Sequence, residues 1–376
     1  MKPLRTLVLA LAASVGGRSE AHVRVQADTT DAWLLFSDEV LIVDGRSEGP
    51  LLRPLKLDGG KSHTVEHRSG QFEIPKRNMD PCSPIRFVVL GDGRAGRDGI
   101  GPSAYFEGLL TEVLARQPAF IVHTGDLVKD GHSRAEWSHY LDTLPPVPPI
   151  ISVRGNHDRG RPFLELGLAE GAVFSVVMGP VTIVGVDTEV STVDTILLRL
   201  EAKLASAQTP FLIVVHHRPI WSRGTHGSDE RGWNKRLVPL YERYGVDVVL
   251  AGHDHNYERF CPLLGLGDER RCVESGQGPL YLVTGGAGTD TNPVPGLSRR
   301  STSAQKTLDD RDSRVFSGTH HFVELEIYRG ALHGTAFRTR TGNLRPAGVF
   351  DRFVITKPDV HCAGTQEEAA ASGDLK

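Results

Sequence analysis

Five apolar, β-branched segments, at 85–90, 119–123, 150–153, 211–215 and 246–250, each run straight into a short turn built from Gly, Asp, Asn or His. Apolar runs of this length between turn signals read as strands buried on both faces. Helix-period segments lie between several of them. The clearest are 104–116, with Phe106, Leu109, Leu110, Val113 and Leu114 on one face, and 193–207, with Ile196, Leu197, Leu200 and Leu204. Alternating strands and helices specify an α/β body, and ligands of such sheets bind outside the carboxyl ends of the strands. Those ends carry Gly91-Asp92, Gly125-Asp126, Gly155-Asn156-His157-Asp158, His216-His217-Arg218-Pro219 and Gly252-His253-Asp254-His255. Each block alone is an ordinary turn or cap. Together they place carboxylates, an amide oxygen and several imidazoles on one rim. That mixture suits Mn, Fe or Zn and is too rich for one tetrahedral ion, so two metals fit better.

Further strands are predicted at 173–177, 181–186 and 280–283, and the segments 322–328 and 331–337 flank Arg329-Gly330 as a hairpin. Residues 22–84 read as an N-terminal β-extension and linker, too small to stand alone and expected to pack on the main domain at 85–357. The polar stretch 289–318 reads as a surface loop, and 358–376 as a disordered tail. Lys2 and Arg5 precede an apolar run at 7–15 and the small residues Gly16 and Gly17. This is the pattern of a secretory signal peptide over 1–21, and it points to a secreted or periplasmic protein without a membrane span. Lys and Arg number 43 against 46 Asp and Glu, a net charge of −3, and no basic stripe interleaves with aromatics, so nucleic acid is not an expected partner. Four cysteines allow three connectivities. The favoured one joins Cys261 to Cys272 across a polar loop and Cys82 to Cys362 as a clasp between the ends of the main domain.

The order and wording of the five blocks resemble the calcineurin-like metallophosphoesterase superfamily over about residues 85–357. The run Gly252-His253-Asp254-His255-Asn256-Tyr257-Glu258-Arg259, together with Gly285-Gly286-Ala287-Gly288 and Asp351-Arg352-Phe353, looks like its purple acid phosphatase branch. The resemblance implies a four-layer α/β/β/α sandwich of two mixed sheets and a pair of divalent or mixed-valence ions of Mn, Fe or Zn. It implies Asp92 and His255 as ligands of the first metal and Asn156, His217 and His253 as ligands of the second. Asp126 would bridge the two, offsetting the repulsion of dications about 3.5–4 Å apart. His217 rather than His216 takes the ligand role because the family's ligand His stands two residues before Pro, here Pro219. His157 is similar to a histidine that contacts the phosphate and protonates the leaving group. Asp158 beside it either orients that imidazole or caps a helix. His226 lies where related phosphatases keep substrate-facing histidines.

Two positions depart from the pattern. Many members have His two residues after the first aspartate, and the purple branch has Gly; here the residue is Arg94, which either binds the substrate phosphate or lies on the surface. The purple branch has Tyr three residues after the bridging aspartate, where this chain has Lys129, so a ferric charge-transfer colour is not expected. The implied activity is metal-dependent hydrolysis of a small phosphate monoester by a metal-bridging hydroxide. The alternatives are a phosphodiesterase on nucleotides or lipid headgroups, and a phosphate-binding protein with a decayed first metal site.

Overall fold

The computed structural model describes residues 10–11, 24–27, 32–36, 41–49, 55–67, 70–74, 82–96, 99, 102–143, 148–161, 163, 171–189, 193–228, 232–291, 309–342 and 346–357. The predicted tail, most of the predicted leader and Cys362 lie outside them, and with Cys362 the expected Cys82–Cys362 pairing. Eight short strands come first: β1 (Ala10–Leu11), β2 (Arg24–Ala27), β3 (Ala32–Phe36), β4 (Leu41–Val43), β5 (Arg46–Glu48), β6 (Leu55–Asp58), β7 (His63–His67) and β8 (Gly70–Ile74). They pair into two four-stranded antiparallel sheets, ordered β1-β2-β3-β6 and β5-β4-β7-β8. Leu41, Val43, Leu57, Val65 and Ile74 are buried in the same apolar cluster as the inner faces of the sheets that follow.

A six-stranded mixed sheet contains β9 (Ile85–Leu90), β10 (Ile121–His123), β11 (Ile150–Ser152), β20 (His321–Tyr328), β21 (Ala331–Arg338) and β22 (Gly348–Thr356), in the order β11-β10-β9-β20-β21-β22. The second mixed sheet runs β12-β13-β14-β15-β18-β16-β17, with β19 also paired to β16. Its strands are β12 (Val173–Met178), β13 (Val181–Val186), β14 (Phe211–His216), β15 (Val248–Ala251), β16 (Tyr257–Leu264), β17 (Arg271–Cys272), β18 (Leu280–Thr284) and β19 (Ser313–Ser317). Strand alternation assigns the layers. In β9, Phe87 and Val89 join the inner cluster, while Val88 and Leu90 pack outward with Phe106, Leu109 and Val113 of helix α1 (Ala104–Leu114) and Trp137 of α2 (Arg134–Thr143). In β14, Ile213 and Val215 face inward, while Leu212 and Val214 meet Ile196 and Leu200 of α3 (Val193–Ala205) and Leu237 of α4 (Asn234–Arg243). The result is the four-layer α/β/β/α sandwich.

Two elements escaped the sequence pattern because each carries a proline. Pro239 lies inside α4, at a cost of about 3 kcal/mol. Leu237, Val238 and Tyr241 are all buried there, and at roughly 1.5–3 kcal/mol for each large apolar side chain their burial outweighs it. Strand β16 contains Pro262, next to a register shift where the missing N–H is tolerated. The stretch read as one surface loop also holds β19. Cys261 of β16 and Cys272 of β17 form a disulfide with Cα atoms 5.6 Å apart, and no described cysteine is free.

Candidate metal centre

Asp92, Asp126 and His253 all adopt left-handed backbone conformations, with φ of 59°, 57° and 69°. Such geometry costs a non-glycine residue of order 1–3 kcal/mol and gathers at functional sites. The strained turns are stitched together. Asp92 N–H donates to Gly125 O at 3.0 Å, and Gly252 N–H donates to His217 O at 2.9 Å. His253 N–H donates to Asp92 Oδ2 at 3.0 Å, and His157 N–H donates to Asp126 Oδ1 at 2.9 Å. Two glycines make room for this: a Cβ on Gly155 would sit 2.1 Å from Asp126 Oδ1, and one on Gly252 would sit 2.5 Å from Asp92 Oδ2.

The histidine tautomers follow from their partners. His217 is fully buried, with Nδ1 2.9 Å from Thr124 O. A carbonyl oxygen only accepts, so Nδ1 holds the proton and Nε2 presents a lone pair. That lone pair faces Asn156 Oδ1 at 3.1 Å and Asp126 Oδ1 at 3.4 Å. Three electron-rich atoms turned toward one another call for a cation between them, and the backbone-anchored imidazole is the arrangement metal sites use. His255 repeats the device: Nδ1 lies 2.9 Å from Asp290 O, and Nε2 lies 3.7 Å from Asp92 Oδ1. That carboxylate oxygen is buried with no hydrogen-bond partner among the described residues. His253 has its ring edge-on to His217, with centroids 4.9 Å apart, and its Nε2 accepts from Arg218 Nη1 at 3.0 Å. Its ligand atom toward a metal would therefore be Nδ1.

Charge supports the same reading. Burial drives the imidazoles of His253 and His255 well below their usual value, His255 to about 3, so both stand neutral with lone pairs to give. Burial, with help from the Asp126 charge, raises the carboxyl of Asp92 well above the carboxylate range. Burial pushes Asp126 the same way, but its interactions with the neighbouring His217, His157 and Arg94 side chains and the bond from His157 N–H outweigh it and hold Asp126 low. Ligating atoms of Asp92, Asp126 and His217 all lie within 4.8 Å of one another. Around Asp126 Oδ1 the oxygen and imidazole donors fit a divalent cation. Around Asp126 Oδ2 the fit fails, because Arg94 Nε lies 3.3 Å from that oxygen.

The other predicted residues divide. His226 reaches the site, its ring stacked on His253 at 3.9 Å. Arg94 lies against a carboxylate rather than on an open surface, its side chain 12% exposed. His157 points Nδ1 at Lys129 O, 2.7 Å away, so Asp158 does not orient that imidazole through Nδ1. The Asp158 carboxylate accepts four backbone N–H groups instead: Asp126 at 2.7 Å and Gly155 at 2.9 Å on Oδ2, Leu127 at 2.8 Å and Val128 at 3.2 Å on Oδ1. His216 points the other way, stacked near Tyr241 in the outer core.

Residues 85–257 match the family model described as calcineurin-like phosphoesterase. The chain carries a calcineurin-like phosphoesterase domain. Human acid phosphatase type 7 is 25% identical over 247 residues, covering 54% of this chain and 56% of that protein. Acid phosphatase A of Cryphonectria parasitica is 36% identical over 101 residues, covering 26% of this chain and 19% of that protein. The chain thus spans at most about half the length of these curated relatives. The structure of purple acid phosphatase from yellow lupin seeds superposes with a TM-score of 0.66 at 19% identity, covering 93% of this chain and 74% of that one.

Three supports of the phosphoesterase domain had no clear signature in the sequence. Asp158 ties the Asp126 turn to the Asn156 turn. Asp254 accepts from His226 N–H at 2.7 Å and from Ser222 Oγ at 2.6 Å, which holds the His226 loop over the site. Arg218, beside His217, is gripped by Glu189 through Nε at 2.6 Å and Nη2 at 3.3 Å. The hint was the abundance of Asp and Arg inside the ligand blocks; apart from Gly155, three residues from Asp158, the partners named lie 28–32 residues away in the chain.

Proposed function

We propose that this chain is an exported, metal-dependent phosphomonoesterase. The observation that carries the reading is His217, whose proton is committed to Thr124 O and whose lone pair faces the oxygens of Asn156 and Asp126. Asp126 Oδ1, Asn156, His217 and His253 would hold the ion of the second position, and Asp92 and His255 line the first. A bound metal supplies Lewis acidity toward phosphoryl oxygens and makes water a nucleophile near neutral pH.

The chain's own groups do the rest. With Nδ1 bonded to Lys129 O, the transferable proton of His157 sits on Nε2, so His157 enters as imidazolium and gives that proton to the departing alkoxide. His226, stacked on His253, faces the substrate from the loop that Asp254 anchors. The disulfide Cys261–Cys272 agrees with export into an oxidising compartment. Among the described residues no helix is long and apolar enough to cross a membrane.

The test compares p-nitrophenyl phosphate with bis(p-nitrophenyl) phosphate across Mn²⁺, Fe²⁺ and Zn²⁺. Faster turnover of the monoester, abolished by a chelator and by Asp126→Asn, is expected. A strong preference for the diester would overturn the substrate class, and chelator-resistant turnover would overturn metal dependence.

A further inference from the structure

We infer that the Arg94 guanidinium supplies the positive charge of the first position, so that the chain retains one metal ion, at Asp126, Asn156, His217 and His253. This rests on the metal dependence proposed above. Asp92 and Asp126 are both buried, at 0% and 1% exposure, and a buried ionised carboxylate needs a compensating cation. The Asp126 carboxylate divides its oxygens. Oδ1 faces His157 N–H and His217 Nε2, while Oδ2 faces Arg94 Nε at 3.3 Å. The oxygen turned away from His217 is thus already taken by a guanidinium.

Arg94 is built into this place. Its N–H donates to Asp126 O at 3.3 Å, its Nη1 donates to Ala95 O at 3.2 Å, and its backbone forms a bridge with Pro102. The side chain is 12% exposed. A guanidinium has no lone pair to coordinate with and keeps its charge in proteins, so it repels a dication where it stands. Lys129 turns its amine to Gly99 O at 3.2 Å.

Metal content of the full chain, loaded with excess Zn²⁺ or Mn²⁺ and desalted, tests the inference. Wild type should retain about one ion per chain, Asp92→Asn should still retain one, and Arg94→His should retain two. Arg94→Gln, which removes charge but keeps hydrogen-bonding capacity, should add a second, weaker binding step in calorimetry and covers the case in which the histidine variant does not fold. Two ions in wild type, a fall in content with Asp92→Asn, or one ion in both folded Arg94 variants would overturn the inference. Wild type that retains no ion after loading would instead overturn the metal dependence beneath it.

Discussion

Replacing Asp158 by asparagine should destabilise the folded chain by about 2–4 kcal/mol. The carboxylate accepts four backbone N–H groups, two on each oxygen. The amide keeps one oxygen and turns an NH₂ toward the other two donors, which lose their acceptor. Hydrogen bonds to a charged group are worth about 1.5–3 kcal/mol each, which puts the gross loss at about 3–6 kcal/mol. Part of this returns, because burial and the neighbouring Asp126 charge already push the Asp158 carboxyl up to about 7, and the amide carries no charge to desolvate. The remainder is a large fraction of a typical folding free energy of about 5–15 kcal/mol. Urea unfolding with an unchanged m-value measures it. A loss under about 1 kcal/mol would refute the clamp reasoning. A variant that unfolds like wild type but shows an altered pH–rate profile would return Asp158 to the service of His157.

Glu258 is buried, accepts Arg223 N–H at 2.8 Å, and is pushed by burial up to about 8 from 4.5. Between those values the folded chain keeps a proton that the unfolded chain has released. The associated stability is therefore full below about pH 4.5 and is lost as pH rises through about 8, at about 1 kcal/mol per pH unit; Glu258→Gln should flatten that slope in thermal melts. Glu189→Gln should loosen Arg218 from His253 and lower metal affinity about 10–100-fold, read by metal titration with the fold checked by circular dichroism; unchanged affinity would remove Arg218 from the support of the site. Breaking the Cys261–Cys272 link, by reduction or by replacing both residues with serine, should cost about 2–3 kcal/mol in urea unfolding, and an unchanged midpoint would count against it.

The sandwich was legible because strand and helix periods switch cleanly: 85–90 and 181–186 are strands over the predicted residues, and the hairpin around Arg329-Gly330 is in place. Prolines hid α4 and β16, where burial and a register shift overrode local preference. The rim was legible because Asp92, Asp126, Asn156, His217, His253 and His255 each follow a strand directly, so the chain delivers them without any long-range information. Their supports were not. Asp158, Glu189 and Asp254 act mostly on groups about 27–32 residues distant, and which backbone N–H a carboxylate meets depends on how turns stack in space. Arg94 marks the limit most sharply, since its type was visible but the oxygen it would face was not.

Asp92, Asp126 and Asn156 follow strands of the six-stranded sheet, whereas His217, His253 and His255 follow strands of the eight-stranded one. The site therefore straddles a seam between the two sheets, and the spacing of its side chains depends on how those sheets sit against each other. A slip of an ångström between the slabs would spoil the chemistry while leaving every strand and helix intact. Heat or denaturant should accordingly release a bound metal before the protein melts, and ligands that grip both sides of the seam should act as rivets for the whole body.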